Sequence, residues 1–243
     1  MKSGVLRVLG VGPGDPELMT LKAARLCREA DVIAYFAKRG EPGHARGIAA
    51  SHIRADHEEM RLEYPLTTEI PADDPAYRRE IAAFYERAAA RLADVLAMGR
   101  DVALLCEGDP IFYGSGLHLL ERLEARFATE IIPGVSGLSG CWARARVPLL
   151  RGGDTLAVLP ATLGAAALAA KLAAADGAVI VKLGRNLPKV RAVLAADGRL
   201  DDAVYIERGT MAGERIIPLA ARDPGEPAPY FSLLIIATRG GRR

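Results

Sequence analysis

Five consecutive small or branched apolar residues, Val102 to Cys106, run straight into Glu107-Gly108-Asp109-Pro110. An apolar run without polar alternation suits a strand buried on both faces of a parallel sheet, which points to an α/β fold. In open α/β sheets ligands bind in the crevice beyond the carboxyl ends of the strands. An acidic turn at that place is therefore a candidate binding site. The competing reading is an ordinary strand-to-helix loop capped by Asp109, since Asp and Pro are also what helix starts prefer.

The chain has 243 residues, half of them hydrophobic, enough to bury a core as one large domain or two small ones. Its 32 basic and 30 acidic residues give a net charge of +2, no overall electrostatic case for nucleic acid or a membrane surface. Lys occurs only at positions 2, 22, 38, 171, 182 and 189, so Arg supplies most of the cations, and its fork suits carboxylates. Cys27, Cys106 and Cys141 are odd in number and lack C-x-x-C spacing, which indicates neither a disulfide framework nor a zinc cluster. With no signal peptide and no apolar run of about 18 residues, a cytoplasmic protein is expected.

Val5 to Val11 reads as the first strand, ending in Gly10-Val11-Gly12-Pro13-Gly14-Asp15-Pro16. The loop only superficially matches G-x-G-x-x-G. Asp15 stands where the third glycine belongs, and Pro13 removes an N–H that a phosphate would need. It is read as the wall of a pocket for a ligand without phosphate. Thr20 caps a predicted helix to Ala30 with Leu21, Ala24 and Leu26 on its apolar side. Asp31 to Phe36 is the second strand, followed by a basic, glycine-rich loop, Ala37 to Arg46, that either receives an anion or is a solvated connection. His44, His52 and His57 match no metal-ligand spacing. Arg61 to Tyr64 reads as a strand and Pro65 to Pro75 as a loop long enough to act as a flap. Tyr77 to Met98 forms a helix, with Ile81, Phe84, Ala88, Leu92 and Val95 at helical steps.

Gly114 to Arg126 is the next helix and Ala128 to Ile132 the next strand, ending in Pro133-Gly134-Val135-Ser136-Gly137. This is not a nucleophile elbow, because Leu138 replaces the second glycine of G-x-S-x-G. A helix starting near Ser136 is the better use of these residues. Arg144 to Asp154 is the clearest change of texture. The expected domains are 1–135 and 136–243, with a boundary possible as late as 153. The second half reads as strands Thr155–Leu159, Ala178–Leu183, Ala203–Ile206, Arg215–Leu219 and Ser232–Thr238, with helices Ala165–Ala174 and Leu187–Ala196. The last strand, continuously apolar, is expected to be central, and Arg208 to Gly213 to be a hairpin turn.

Four loops in order, Gly10 to Pro16, Glu107 to Gly114, Ile132 to Gly137 and Glu207 to Thr210, resemble those of the tetrapyrrole methylases. More narrowly, the regions around Tyr35, Tyr64 to Ile70, Lys182 to Val190 and Ala228 to Leu233 resemble members that methylate a meso carbon in the corrin branch leading to cobalamin. The resemblance implies a two-domain α/β tetrapyrrole methylase fold with a ligand cleft between the domains, S-adenosylmethionine bound there, and a homodimer. It assigns cofactor contact to Pro13, Gly108, Asp109, Phe112, Ser136, Gly137, Leu183 and Gly209. Lys38, Arg39, Arg46, Arg144, Arg146, Arg151 and Arg185 lie in or beside the inferred cleft loops and are candidates for the substrate carboxylates. Phe36 follows Tyr35 where uroporphyrinogen methylases tend to have Asp, so any role of that Asp does not carry over.

The implied reaction is in-line methyl transfer from a sulfonium to an electron-rich ring carbon, for which alignment and exclusion of water matter more than a protein nucleophile. A proton must leave the ring; Tyr113, Glu107 and Tyr230 are able to assist, and the catalytic base stays unnamed. No metal is expected. The competing readings are methylation of the cobalt-loaded ring at the same carbon and, from another class, a non-catalytic nucleotide-binding module.

Overall fold

The computed structural model describes residues 2–66 and 74–238. The chain packs as two units, Met1–Gly137 and Leu138–Arg243.

In the first unit the elements alternate: β1 (Val5–Gly10), α1 (Leu21–Glu29), β2 (Val32–Lys38), α2 (His44–Ile48), β3 (Glu58–Tyr64), α3 (Pro75–Ala97), β4 (Val102–Cys106), α4 (Gly116–Leu123) and β5 (Ala128–Ile132). The strands form one sheet in the order β3-β2-β4-β1-β5, and every pairing is parallel. β4 therefore has a neighbour on each side and a layer of helix on each face. Val102, Leu104 and Cys106 point into a core with α3 and α4, while Ala103 and Leu105 point into a second core with α1 and α2. All five are buried, which explains the missing alternation in the sequence.

α3 starts on a proline preceded by Asp74, whose carboxylate accepts the Ala76 N–H at 2.7 Å. It buries Phe84, Ala88, Leu92 and Val95 as the periodicity predicts, while Ile81 packs against the same core partly buried. Thr20 caps α1 through the Ala23 N–H at 3.1 Å. Leu21, however, is 91% exposed; the buried face is Ala23, Ala24, Leu26 and Cys27, because the first residue of the helix points away from the sheet. β2 runs two residues beyond its expected end, since Ala37 and Lys38 continue the ladder to Glu63 and Tyr64. The expected loop 37–46 thus contains the end of a strand and the start of α2. The expected flap 65–75 lies mostly outside the described residues.

α5 (Gly137–Ala145) begins at the last residue of the first unit and takes in Arg144, so the texture change expected at 144–154 starts inside a helix. The second unit then contains β6 (Leu156–Pro160), α6 (Ala165–Ala173), β7 (Gly177–Val181), α7 (Leu187–Ala196), β8 (Ala203–Glu207), β9 (Arg215–Pro218) and β10 (Ser232–Ile236). Its sheet has the order β6-β7-β10-β8-β9, with only β6 and β7 parallel. β10 is central and wholly buried, and β8 and β9 form the expected hairpin. α6 and α7 cover one face, and Leu138, Cys141 and Leu149 cover the other.

Arg222 is the more deeply buried of two buried cations among the described residues of this unit, 1% exposed against 4% for Arg199. Its guanidinium donates to the carbonyls of Asp223, Glu226 and Pro227 at 3.2, 2.8 and 2.9 Å and lies 4.5 Å over the Tyr205 ring. This clamp shapes the segment leading to the exposed Tyr230.

Candidate active site

Three turns meet at the carboxyl ends of β1, β4 and β5, where the sheet order places β1 between strands made much later in the chain. The Val11 N–H donates to the Cys106 carbonyl at 2.9 Å, and the Gly108 N–H donates to the Gly12 carbonyl at 2.7 Å. The third turn is packed against these two without room for a side chain. A Cβ on Gly134 would stand 2.1 Å from the Gly108 oxygen and 2.8 Å from the Gly10 Cα. Asp109 ties the same turns together, accepting the Ile111 N–H at 3.1 Å and the Gly134 N–H at 3.3 Å.

The consequence for a ligand is chemical. Pro13 has no N–H, and those of Gly108 and Gly134 are already engaged within the protein. A phosphate cradle needs convergent free donors. These turns instead offer carbonyls, a carboxylate and apolar surface, which fits a cationic, phosphate-free ligand. Asp15 does a local job, accepting the Glu17 N–H at 2.9 Å at the start of a short 3-10 turn.

Beyond Asp109 the turn presents Ile111, Phe112 and Tyr113, which are 54, 43 and 56% exposed. The Phe112 and Tyr113 rings meet edge to face at 5.0 Å, and Tyr113 takes a left-handed φ of 57°. Ser136 and Gly137 enter α5, with the Gly137 nitrogen 3.3 Å from where a Gly108 Cβ would be. Glu107 is partly buried at the end of β4. Desolvation pushes its carboxyl up to about 7, while a hydrogen bond from the Ala45 backbone pulls the other way. Burial raises the three thiols to about 11 at Cys27 and about 12 at Cys106 and Cys141, so none is an activated nucleophile.

In the second unit, Leu183 follows β7 with its side chain in the core, 1% exposed, leaving its backbone for any ligand contact. Gly209 sits between Arg208 and Thr210, both at positive φ, and a Cβ there would meet Cys141 Sγ at 2.5 Å. Glu214 braces this turn by accepting the Thr210 N–H at 2.7 Å.

The candidate cations divide into two groups. Arg46 makes a two-pronged bond to Glu59 at 3.0 and 2.8 Å, and Arg144 does the same to Glu214. These hydrogen bonds hold both carboxyls below the usual glutamate range. Tyr35 joins the first pair: burial, followed by its bond to Glu59, raises its hydroxyl. Lys38, Arg39, Arg146, Arg151 and Arg185 are exposed, and none is ion-paired among the described residues. Lys38 and Arg39 stand together at the carboxyl end of β2.

His52 Nδ1 lies 2.7 Å from Arg28, and His57 accepts the Arg54 N–H. Among the described residues there is no cluster of His, Cys, Asp and Glu able to hold a metal ion, and no helix long and apolar enough to cross a membrane. Sequence reasoning missed Gly10 and Gly134 as the points where the turns touch. A glycine ending each of two strand-and-turn segments was the available signal.

The profile of the tetrapyrrole (corrin/porphyrin) methylases matches residues 5–223, and the chain belongs to that family. It is 52% identical over 235 residues to the precorrin-2 C(20)-methyltransferase of Sinorhizobium sp., covering 96% of each chain. It is 30% identical to the cobalt-precorrin-2 C(20)-methyltransferase of Salmonella typhimurium, again over 96% of both. Among solved structures, the uroporphyrin-III C-methyl transferase of Thermus thermophilus complexed with S-adenyl homocysteine has the same fold, with a TM-score of 0.67 at 23% identity over 96% of this chain and 97% of that one.

Proposed function

We propose that this protein is an S-adenosylmethionine-dependent C-methyltransferase acting on C20 of precorrin-2 in cobalamin biosynthesis. The observation that carries the reading is the 52% identity to a precorrin-2 C(20)-methyltransferase along nearly the whole of both chains. The lower 30% identity to the cobalt-precorrin-2 enzyme favours the metal-free ring as substrate.

S-adenosylmethionine supplies an electrophilic methyl group on a sulfonium. The protein's task is to hold that group in line with an electron-rich ring carbon and keep water away. Gly108 and Asp109 form the wall, fixed in place by the Gly12 and Gly134 bonds, and Pro13, Phe112, Ser136 and Gly137 border it. Leu183 and Gly209 of the second unit are assigned to cofactor contact on the same footing. Lys38 and Arg39, together with Arg146, Arg151 and Arg185, are the cations available to ring carboxylates. Arg46 and Arg144 would have to leave Glu59 and Glu214 to join them, a cost that ranks them lower. A homodimer is proposed from the family resemblance, to be checked by light scattering.

The test combines binding and product. Calorimetry should detect S-adenosylhomocysteine binding that Asp109→Ala loses while the protein stays folded. Anaerobic assay of precorrin-2 and its cobalt form, with mass and carbon-labelled NMR of the product, should show methylation at C20 and preference for the metal-free ring. Retention of a dinucleotide without S-adenosylhomocysteine binding overturns the reading.

A further inference from the structure

Resting on that reading, we propose that Arg61 is a positioning residue for the substrate. It sets the turn at 38–41 so that the Lys38 and Arg39 side chains meet carboxylates of the tetrapyrrole.

The sheet itself opens a crevice at this place. The ladder between β2 and β4 ends at Tyr35 opposite Leu105, three residues before Lys38 on one strand and three before Gly108 on the other. From there the chains part. The connection after β2 leads to α2, packed on the face that holds Ala103 and Leu105, and the one after β4 leads to α4, packed on the face that holds Val102 and Leu104. Strand ends whose connections leave to opposite faces are where open α/β sheets take their ligands. Gly108 and Asp109 stand on one side of that opening, Lys38 and Arg39 on the other. Tyr64, the ladder partner of Lys38, stacks on Phe36 at 5.4 Å with both rings partly exposed, which puts apolar surface beside the cations.

The turn that carries the cations is held from the edge strand. The Glu41 N–H closes it onto the Lys38 carbonyl at 3.1 Å, and Gly40 supplies the left-handed φ of 76°. Arg61, on β3, donates from one guanidinium nitrogen to the Lys38 carbonyl at 2.9 Å and to the Glu41 carbonyl at 2.6 Å, gripping both ends of the turn. Glu63 completes the grip, pairing with Arg61 at 3.1 Å and accepting the Gly40 N–H at 3.4 Å. The cation of Arg61 is thus spent on the backbone and on Glu63. Those of Lys38 and Arg39 stay exposed and in no ion pair among the described residues, with Glu41 the one carboxylate on the turn. An arginine fork fixes geometry more rigidly than a lysine does. Two unpaired cations on a turn held in this way suit the carboxylate rim of a ring whose apolar body lies against the crevice.

The test is anaerobic steady-state methylation of precorrin-2 by the parent, Arg61→Met, Arg61→Lys, the Lys38→Ala/Arg39→Ala double variant and the triple variant that adds Arg61→Met. S-adenosylhomocysteine calorimetry and circular dichroism accompany each. Arg61→Met should raise KM for precorrin-2 about tenfold, the equivalent of losing one charged hydrogen bond, with a smaller change in kcat and unchanged S-adenosylhomocysteine affinity. Arg61→Lys should recover part of that loss, and it carries the comparison with the parent if Arg61→Met does not fold. The triple variant should have the KM of the double variant, because placing the turn has no value once its cations are gone. A folded Arg61 variant with the parental KM overturns the proposal, as does a triple variant whose KM exceeds the double's by the factor seen in the single one. Loss of S-adenosylhomocysteine affinity in step with KM overturns it too. A parent that binds S-adenosylhomocysteine but leaves precorrin-2 unmethylated overturns the functional reading and this proposal with it.

Discussion

The Tyr64 hydroxyl donates to Ser115 Oγ at 2.5 Å, fastening the last residue of β3 to the residue that precedes α4. Tyr64 is also stacked on Phe36 at 5.4 Å, a ring contact that a phenylalanine there keeps while it removes the bond to Ser115. Tyr64→Phe and Ser115→Ala should each cost about 1 kcal/mol in urea unfolding, and the double variant no more than the larger single loss. Additive losses would show that the bond contributes nothing.

Gly134→Ala should be far more damaging than its size suggests. The new methyl would fall 2.1 Å from the Gly108 oxygen, and the nearby atoms are backbone, not flexible side-chain ends. Parting the turns should cost about 1–3 kcal/mol and abolish S-adenosylhomocysteine binding by calorimetry. Gly164→Ala, with nothing within 4 Å of the added carbon, is the control expected to do neither.

Glu107 gives stability a pH dependence. Its folded-state pKa is raised to about 7, so between the ordinary glutamate value and about 7 the unfolded chain holds fewer protons than the folded one. Stability therefore falls as pH rises through that window and levels off above it. Glu107→Gln should remove this slope. Its stability relative to the parent should grow by about 1–3 kcal/mol between pH 5 and pH 8 in chemical denaturation; parallel curves would refute the desolvated carboxyl.

Arg222→Met replaces the clamp with an apolar chain of similar reach. The Asp223, Glu226 and Pro227 carbonyls lose a donor and Glu226 loses a cation 3.8 Å away. Glu226 keeps Arg215 at 2.6 Å, so the loss comes from the unpaired carbonyls and is expected to be about 1–3 kcal/mol, together with faster proteolytic cleavage near Tyr230. Unchanged cleavage would mean the segment holds itself.

The parts legible in the sequence were those where one physical requirement dominates. β4 and β5 were delimited to the residue, because a doubly covered run and a turn-bounded run have sharp ends. β10 was placed at the centre by the same logic. α2 was illegible, being five residues between glycine-bearing turns, too short to show a period. Leu21 was assigned to the wrong face because composition at a helix start says little about where the first turn points. At the site, the acidic turn could be located, but that Asp109 fastens while Glu107 is left desolvated depends on Gly134 and Ala45, which only tertiary pairing brings alongside.

The position of β1 governs how this unit comes into being. A chain leaving the ribosome carries Val5–Gly10 first, yet its sheet neighbours are β4 and β5, and the Val5 N–H finds the Asp101 carboxylate only 96 residues later. Until Cys106 is out, β1 has no lateral partner in place, and until Gly134 is out the turn after it cannot be laced to both Gly108 and Gly134. Nascent chains pass through a long interval with a bare apolar strand, the kind of segment chaperones shield. S-adenosylmethionine cannot shorten that interval, because the wall proposed to hold it does not exist until the wait is over.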